Sequence, residues 1–208
     1  MHAIEEICGT IRARFDAMDE AREQSLAISR KITRNSGDAI KAIHREEWGE
    51  SRKLIDETRD LVLEVNGLLT NFPDLYYSGY VGNAQTEYAE VSILNAVLHG
   101  EKIPTPGQLQ VDNAAYLNGA GDVVGELRRH VLDLIRRGRP GEGEQFLDLM
   151  DELYTALMSF DYPDAITHGL RKKTDVARSL VERTRGDLTN ALQVRDLKAA
   201  MGDLERKL

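Results

Sequence analysis

The chain has 208 residues, 41% of them hydrophobic and 30% charged, with a formal net charge of −8. That length and balance predict one globular domain with a sizeable core and exclude a disordered chain, while the acidic excess argues against a surface that coats nucleic acid broadly. Five prolines and 6% aromatic residues argue against an all-β fold, and a single cysteine excludes an internal disulfide, which predicts a reducing, cytoplasmic setting.

The first stretch, "MHAIEEICGTIRARF", is charged throughout and has no apolar core, so it does not read as a secretory signal. No run along the chain approaches ~18 consecutive apolar residues, so no membrane-spanning helix is expected. From residue 2 to about 44, Ile4, Ile7, Ile11, Phe15, Met18, Leu26, Ile28, Ile32, Ile40 and Ile43 recur at helical spacing. Gly37 marks a candidate kink, and Cys8, lying in this pattern, is expected to be a core thiol rather than a nucleophile. A second helix is predicted over about 46–69, ended by "NFPD" at Pro73. A third covers about 76–99, and the proline- and glycine-bearing "HGEKIPTPGQLQ" (99–110) is a loop. The fourth, about 112–137, contains Gly119, Gly121 and Gly125, which cost helix propensity but leave room for another backbone or a ligand. After the turn "RGRPGEGE", a fifth helix runs over about 144–160, and "DYPDA" interrupts the pattern with Asp164 as a candidate N-cap. A sixth spans about 165–192 and a short one follows. The prediction is an all-α bundle of about seven long antiparallel helices in a single domain, 1–208.

Two helices carry paired carboxylates. In "TEYAEVSI" (86–93), Glu87 falls on a stripe otherwise made of Tyr80, Ala84, Val91, Leu94 and Leu98, and Glu90 lies one turn on. A buried carboxylate is costly unless it is paired or bound to a metal. In "GAGDVVGELRRH" (119–130), Asp122 and Glu126 share one helix face. If these helices pack antiparallel across the 99–110 loop, the four carboxylates converge. Four oxygen ligands on rigid helices suit Mg²⁺ or Mn²⁺, which can activate water and steady the leaving oxygen of a phosphodiester. Spacing alone equally allows ordinary surface charge. A di-iron centre would need Glu-x-x-His, and no histidine has a glutamate three residues before it. All-α nucleotide pyrophosphohydrolases carry Glu-x-x-Glu followed by Glu-x-x-Asp, so Asp-x-x-x-Glu fits them in part. No phosphate-binding glycine loop is present.

Four segments together resemble the translin family, nearer to translin-associated factor X than to translin: "LAISRKITRNSGDAIKAIHRE" (26–46), "EYAEVSILNAVLHG" (87–100), "NAAYLNGAGDVVGELRRHVLDLI" (113–135) and "GLRKKTDVARSLVERTRGDL" (169–188). They span nearly the whole chain in the right order. The short loop between the motif helices and the brief C-terminus are similar to prokaryotic, archaeal-type members. The resemblance implies a hollow homo-octamer and a Mg²⁺-dependent endoribonuclease centre. Its Glu-x-x-Glu and Asp-x-x-x-Glu pattern is matched at Glu87, Glu90, Asp122 and Glu126. RNA is then the expected partner, with Arg30, Arg34, Arg45, Arg129 and Lys172 expected to guide its backbone. Tyr76, Tyr77 and Tyr80 are expected either to stack on bases or, more in keeping with their place at a helix start, to pack in the core. The alternatives are a non-catalytic translin-like scaffold for single-stranded RNA or DNA and a nucleotide pyrophosphohydrolase.

Overall fold

The computed structural model describes residues 2–207. Among them are six long helices: α1 (His2–His44), α2 (Trp48–Leu68), α4 (Gly79–Leu98), α6 (Asn113–Arg136), α7 (Glu144–Met158) and α9 (Leu170–Glu205). Three single-turn helices link them, α3 (Pro73–Tyr76), α5 (Pro106–Leu109) and α8 (Asp164–Thr167), and a 3₁₀ turn (Pro140–Gly143) precedes α7. The all-α expectation holds. Among the described residues no helix is long and apolar enough to cross a membrane.

Ala21, Ile28, Ile32, Ala39 and Ile43 form one buried stripe on α1. It packs on α2 and α4, while α6 packs on α4, α7 and α9. The central helix α4 is therefore enclosed by α1, α2 and α6, and its residues 88–96 are buried without interruption. A helix covered on several sides has no single apolar stripe.

The connection after α4 decides which side chains meet. It leaves beside the start of α2, where Arg52 pairs with Glu101 at 2.7 Å, and reaches the far end of α2, where Asn66 Nδ2 donates to the Gln110 carbonyl at 2.7 Å. Having crossed back along α2, the chain enters α6 near the start of α4. There the Asp112 N–H donates to Gln85 Oε1 at 3.0 Å. The side chain of Asp112 then caps α6 by accepting from the Ala114 N–H at 2.8 Å. So α4 and α6 run in the same sense rather than as the expected antiparallel hairpin, while α1 and α2 do turn back on one another. The α6 and α9 contacts also advance together, from Asp122 with Lys173 to Arg128 with Asp187.

Other expectations change. Gly37 produces no break in α1, which is continuous. Residues 3–17, including Ile4, Ile7, Ile11 and Phe15, are exposed, and Cys8 is exposed with them. Asp164 is not the N-cap; it is the first residue of α8, and its carboxylate accepts from the Gly169 N–H at 2.7 Å. The two predicted C-terminal helices are one, since nothing between residues 190 and 201 breaks the ladder of α9.

Candidate active site

Among the glycines, Gly119 of α6 has the closest neighbours. A Cβ there would lie 2.7 Å from the Thr86 carbonyl oxygen, and 2.9 Å from both Ala89 Cβ and the Glu90 nitrogen. The missing side chain lets the two backbones close up and sets Glu87 and Glu90 of α4 opposite Asp122, just under one turn further along α6. On the other side of α6, Gly121 admits α9, with a Cβ position 3.0 Å from Lys173 Cβ.

The other three carboxylates all act on Glu90. Glu90, only 8% exposed, is pushed up to about 8, first by burial and then by Asp122, Glu87 and Glu126. Burial and then Asp122 also raise Glu87, against a lowering pull from Lys173. Sequence periodicity marks Glu87 as the buried acid; the structure instead leaves Glu87 half-buried and buries Glu90, because α4 is covered on several sides. Asp122 and Glu126 have partners. Lys173 Nζ donates to both Asp122 oxygens, at 2.5 and 2.6 Å, and His44 Nε2 hydrogen-bonds Glu126 Oε2. The carboxylates of Glu87 and Glu90 take no hydrogen bond or ion pair among the described residues.

The donor set fits a hard divalent cation. It is all oxygen, and the proton affinity of one member, Glu90, is raised first by burial and then by the neighbouring carboxylates. As the side chains stand, no three His, Cys, Asp or Glu among the described residues are gathered in ligand geometry, since Lys173 and His44 hold two of the four. Glu90 carries a pH signature. Its folded pKa lies above the unfolded value, so between about pH 4.5 and about pH 8 the folded state keeps a proton the unfolded state releases. Stability therefore falls as pH rises through that window. Glu90→Gln should melt like wild type at pH 4 in EDTA. At pH 9 it should be more stable by on the order of 3 kcal/mol. A wild-type-like melting temperature for the variant at pH 9 would contradict the burial of a charge-bearing Glu90.

A cleft of about 660 Å³ opens beside the carboxylates, with Glu87, Asp122 and Lys173 at one end and Arg30, Tyr77 and His168 among its other walls. Of the three tyrosines only Tyr77 is free to stack on a base, being 70% exposed. The hydroxyl of Tyr80 is bonded to Ser25 Oγ at 2.8 Å, and Tyr76 accepts from Gln85 Nε2 at 3.2 Å. Arg30 lines this cleft, and Arg34 lies one turn along the same face of α1. Arg45 is engaged by Glu47 at 2.8 Å, and Arg129 and Lys172 are exposed outside the cleft. Lys173 and His44 escape the sequence reading. The signals for them were the third residue of "RKK" and the histidine of "HRE".

No family model matches the chain. A protein of Methanocaldococcus jannaschii described as uncharacterised is 34% identical over 177 residues, which are 84% of this chain and 78% of that one. Among solved structures, AfC3PO is 32% identical with a TM-score of 0.84, covering 90% of this chain and 98% of its own. The same protein in a complex with duplex RNA gives a TM-score of 0.83 at 32% identity, covering 90% and 97%. The apo form of NeC3PO, at 20% identity, shares the fold, with a TM-score of 0.80 over 88% and 96% of the two chains. With this fold, these relatives and its Glu-x-x-Glu and Asp-x-x-x-Glu pairs, the chain belongs to the translin family as a member resembling translin-associated factor X.

Proposed function

We propose that the chain is a Mg²⁺-dependent endoribonuclease that works within a homo-octameric shell, with Mn²⁺ as a substitute ion. The observation that carries this reading is Glu90, buried without a hydrogen bond or ion pair among the described residues and set among Asp122, Glu87 and Glu126, of which Glu87 and Asp122 line the cleft. Glu87, Glu90, Asp122 and Glu126 would hold the cation. Bound there, it would supply activation of water and neutralise charge on the leaving oxygen. The chain's own groups do the rest. The Gly119 contact fixes the two carboxylate helices against each other, and His44 orients Glu126. Arg30 and Arg34 steer the RNA backbone toward the cleft, where Tyr77 offers a stacking face. Arg45, Arg129 and Lys172 would contact more distant phosphates.

AfC3PO in its complex with duplex RNA supports RNA as the ligand class. Local positive charge on the α1 side of the cleft, from Arg30 with Arg34 one turn on, would have to receive the RNA backbone against a net charge of −8. The apolar stripes Ile4, Ile7, Ile11, Phe15 on α1 and Val194, Leu197, Met201, Leu204 on α9 are exposed in a single chain. Contacts between copies would cover them.

A second reading, an RNA-binding scaffold without catalysis, has one observation in its favour: Asp122 and Glu126 already have side-chain partners in Lys173 and His44. Incubating labelled single-stranded RNA with the protein in Mg²⁺ or in EDTA separates the two. Endonucleolytic products bearing 5′-phosphate and 3′-hydroxyl, formed in Mg²⁺ and absent in EDTA, are expected. RNA retained intact in both would leave the scaffold, and pyrophosphate release from nucleoside triphosphates would point to the pyrophosphohydrolase.

A further inference from the structure

Lys173 has a geometry that its neighbours lack. Arg171 and Lys172, beside it on the first turn of α9, are exposed, whereas Lys173 crosses the face of α6. Its stem runs where a side chain on residue 121 would lie, and Gly121 leaves that space open. Its ammonium meets both oxygens of Asp122, at 2.5 and 2.6 Å. It also pulls down the carboxyls of Glu87 and Glu90, which Asp122 pushes up. It is therefore the cation felt by three of the four acids. Yet the side chain is 38% exposed and lines the cleft with Glu87 and Asp122.

A two-oxygen contact of this kind uses the lone pairs through which Asp122 would ligate an ion. The two bonds leave fewer of the carboxylate's lone pairs for an ion, and an ammonium and a divalent cation held on one carboxylate repel each other at that range. A lysine has a flexible four-carbon stem and three rotatable donors, so it can leave one acceptor for another within the same cleft.

We propose that Lys173 is the built-in counter-cation of the carboxylate cluster: it occupies Asp122 until a divalent cation binds, and the displaced ammonium then holds a phosphate oxygen of the RNA strand in the cleft. This rests on the carboxylate cluster being a divalent-cation site. It differs from a mere strut between α6 and α9 in what happens when the charge is removed. A strut, once lost, loosens Asp122 and weakens cation binding. A competitor, once lost, strengthens it.

The test uses the full-length protein and Mn²⁺ as the probe, with Mn²⁺ binding followed by electron paramagnetic resonance in the absence of RNA. Lys173→Met keeps the stem and removes the charge. It should bind Mn²⁺ at least about fivefold more tightly than wild type while cleaving labelled single-stranded RNA about tenfold more slowly at saturating Mg²⁺. Lys173→Arg should recover most of the cleavage rate. Lys173→Gln, a shorter polar replacement, should repeat the tighter Mn²⁺ binding should the Met variant fold poorly. Unchanged or weaker Mn²⁺ affinity in both neutral variants overturns the proposal, and so does tighter Mn²⁺ binding with undiminished cleavage. Absence of Mn²⁺ binding in the wild type overturns the cation site itself. Mn²⁺ binding without RNA cleavage in the wild type overturns the nuclease reading, and leaves the displacement from Asp122 to be decided by the affinity comparison.

Discussion

Asp122→Asn and Glu90→Gln should each slow Mg²⁺-dependent RNA cleavage by on the order of 10²–10³-fold, with helix content and assembly state unchanged. The two substitutions are chosen for what they preserve. Glu90 takes no hydrogen bond or ion pair in the described structure, so glutamine of the same shape removes the ability to ionise and bind a cation, and no contact. Asparagine at 122 keeps one oxygen for Lys173 to hydrogen-bond. What each removes is one carboxyl that could ligate a cation, from a cluster in which burial and neighbouring acids already raise the proton affinity of Glu90 and Glu87. Metal-ligand losses commonly appear as weaker ion binding, so the assay should be repeated across a Mg²⁺ titration. A rate recovered at high Mg²⁺ assigns the residue to ion binding, and an unrecovered rate assigns it to the chemical step. Wild-type cleavage by either variant at low Mg²⁺ would remove that residue from the site.

How much of this was legible beforehand depends on which physical signal each feature leaves. Helix existence and the two carboxylate pairs follow from spacing, which is local, and both are present in the structure. The identity of the buried acid does not. A stripe shows one face of a helix, but α4 is enclosed by α1, α2 and α6, so Glu90 is deeper than the stripe member Glu87. The direction of α6 relative to α4 depends on a connection that reads as a simple loop and in fact travels along α2 from Arg52 to Asn66. Composition cannot separate Lys172 from Lys173; on a helix they point about 100° apart, and only the packing of α9 on α6 tells which faces Asp122. At the N-terminus the stripe from Ile4 to Phe15 is genuinely amphipathic, but spacing shows an apolar face without showing what covers it. Gly119, Gly121 and Gly125 are weak helix formers that leave room for a neighbour, and α4 packs closely at Gly119 and α9 at Gly121.

Gly119→Ala should lower the melting temperature by about 3–10 °C and cost most of the cleavage activity, although alanine is the better helix former. The gain in propensity is worth at most about 1 kcal/mol. Against it stands a methyl group 2.7 Å from the Thr86 carbonyl oxygen and 2.9 Å from the Glu90 nitrogen, both backbone atoms in a continuous helix that cannot swing aside as a side chain end can. Overpacking of this kind costs about 1–3 kcal/mol, and in a chain of this size each kcal/mol lowers the melting temperature by about 2–4 °C. The loss of activity follows from place rather than from stability. The backbone that must move is residues 86–90, which carries Glu87 and Glu90, and it must move away from the helix that carries Asp122 and Glu126. Gly186→Ala is the matched control. It lies within α9 with no neighbouring atom inside 4 Å of the added Cβ, so the same substitution should raise stability by about 0.5–1 kcal/mol and leave cleavage alone. If Gly119→Ala melts with the control and cleaves as wild type, the α4–α6 contact is not what brings the four carboxylates together.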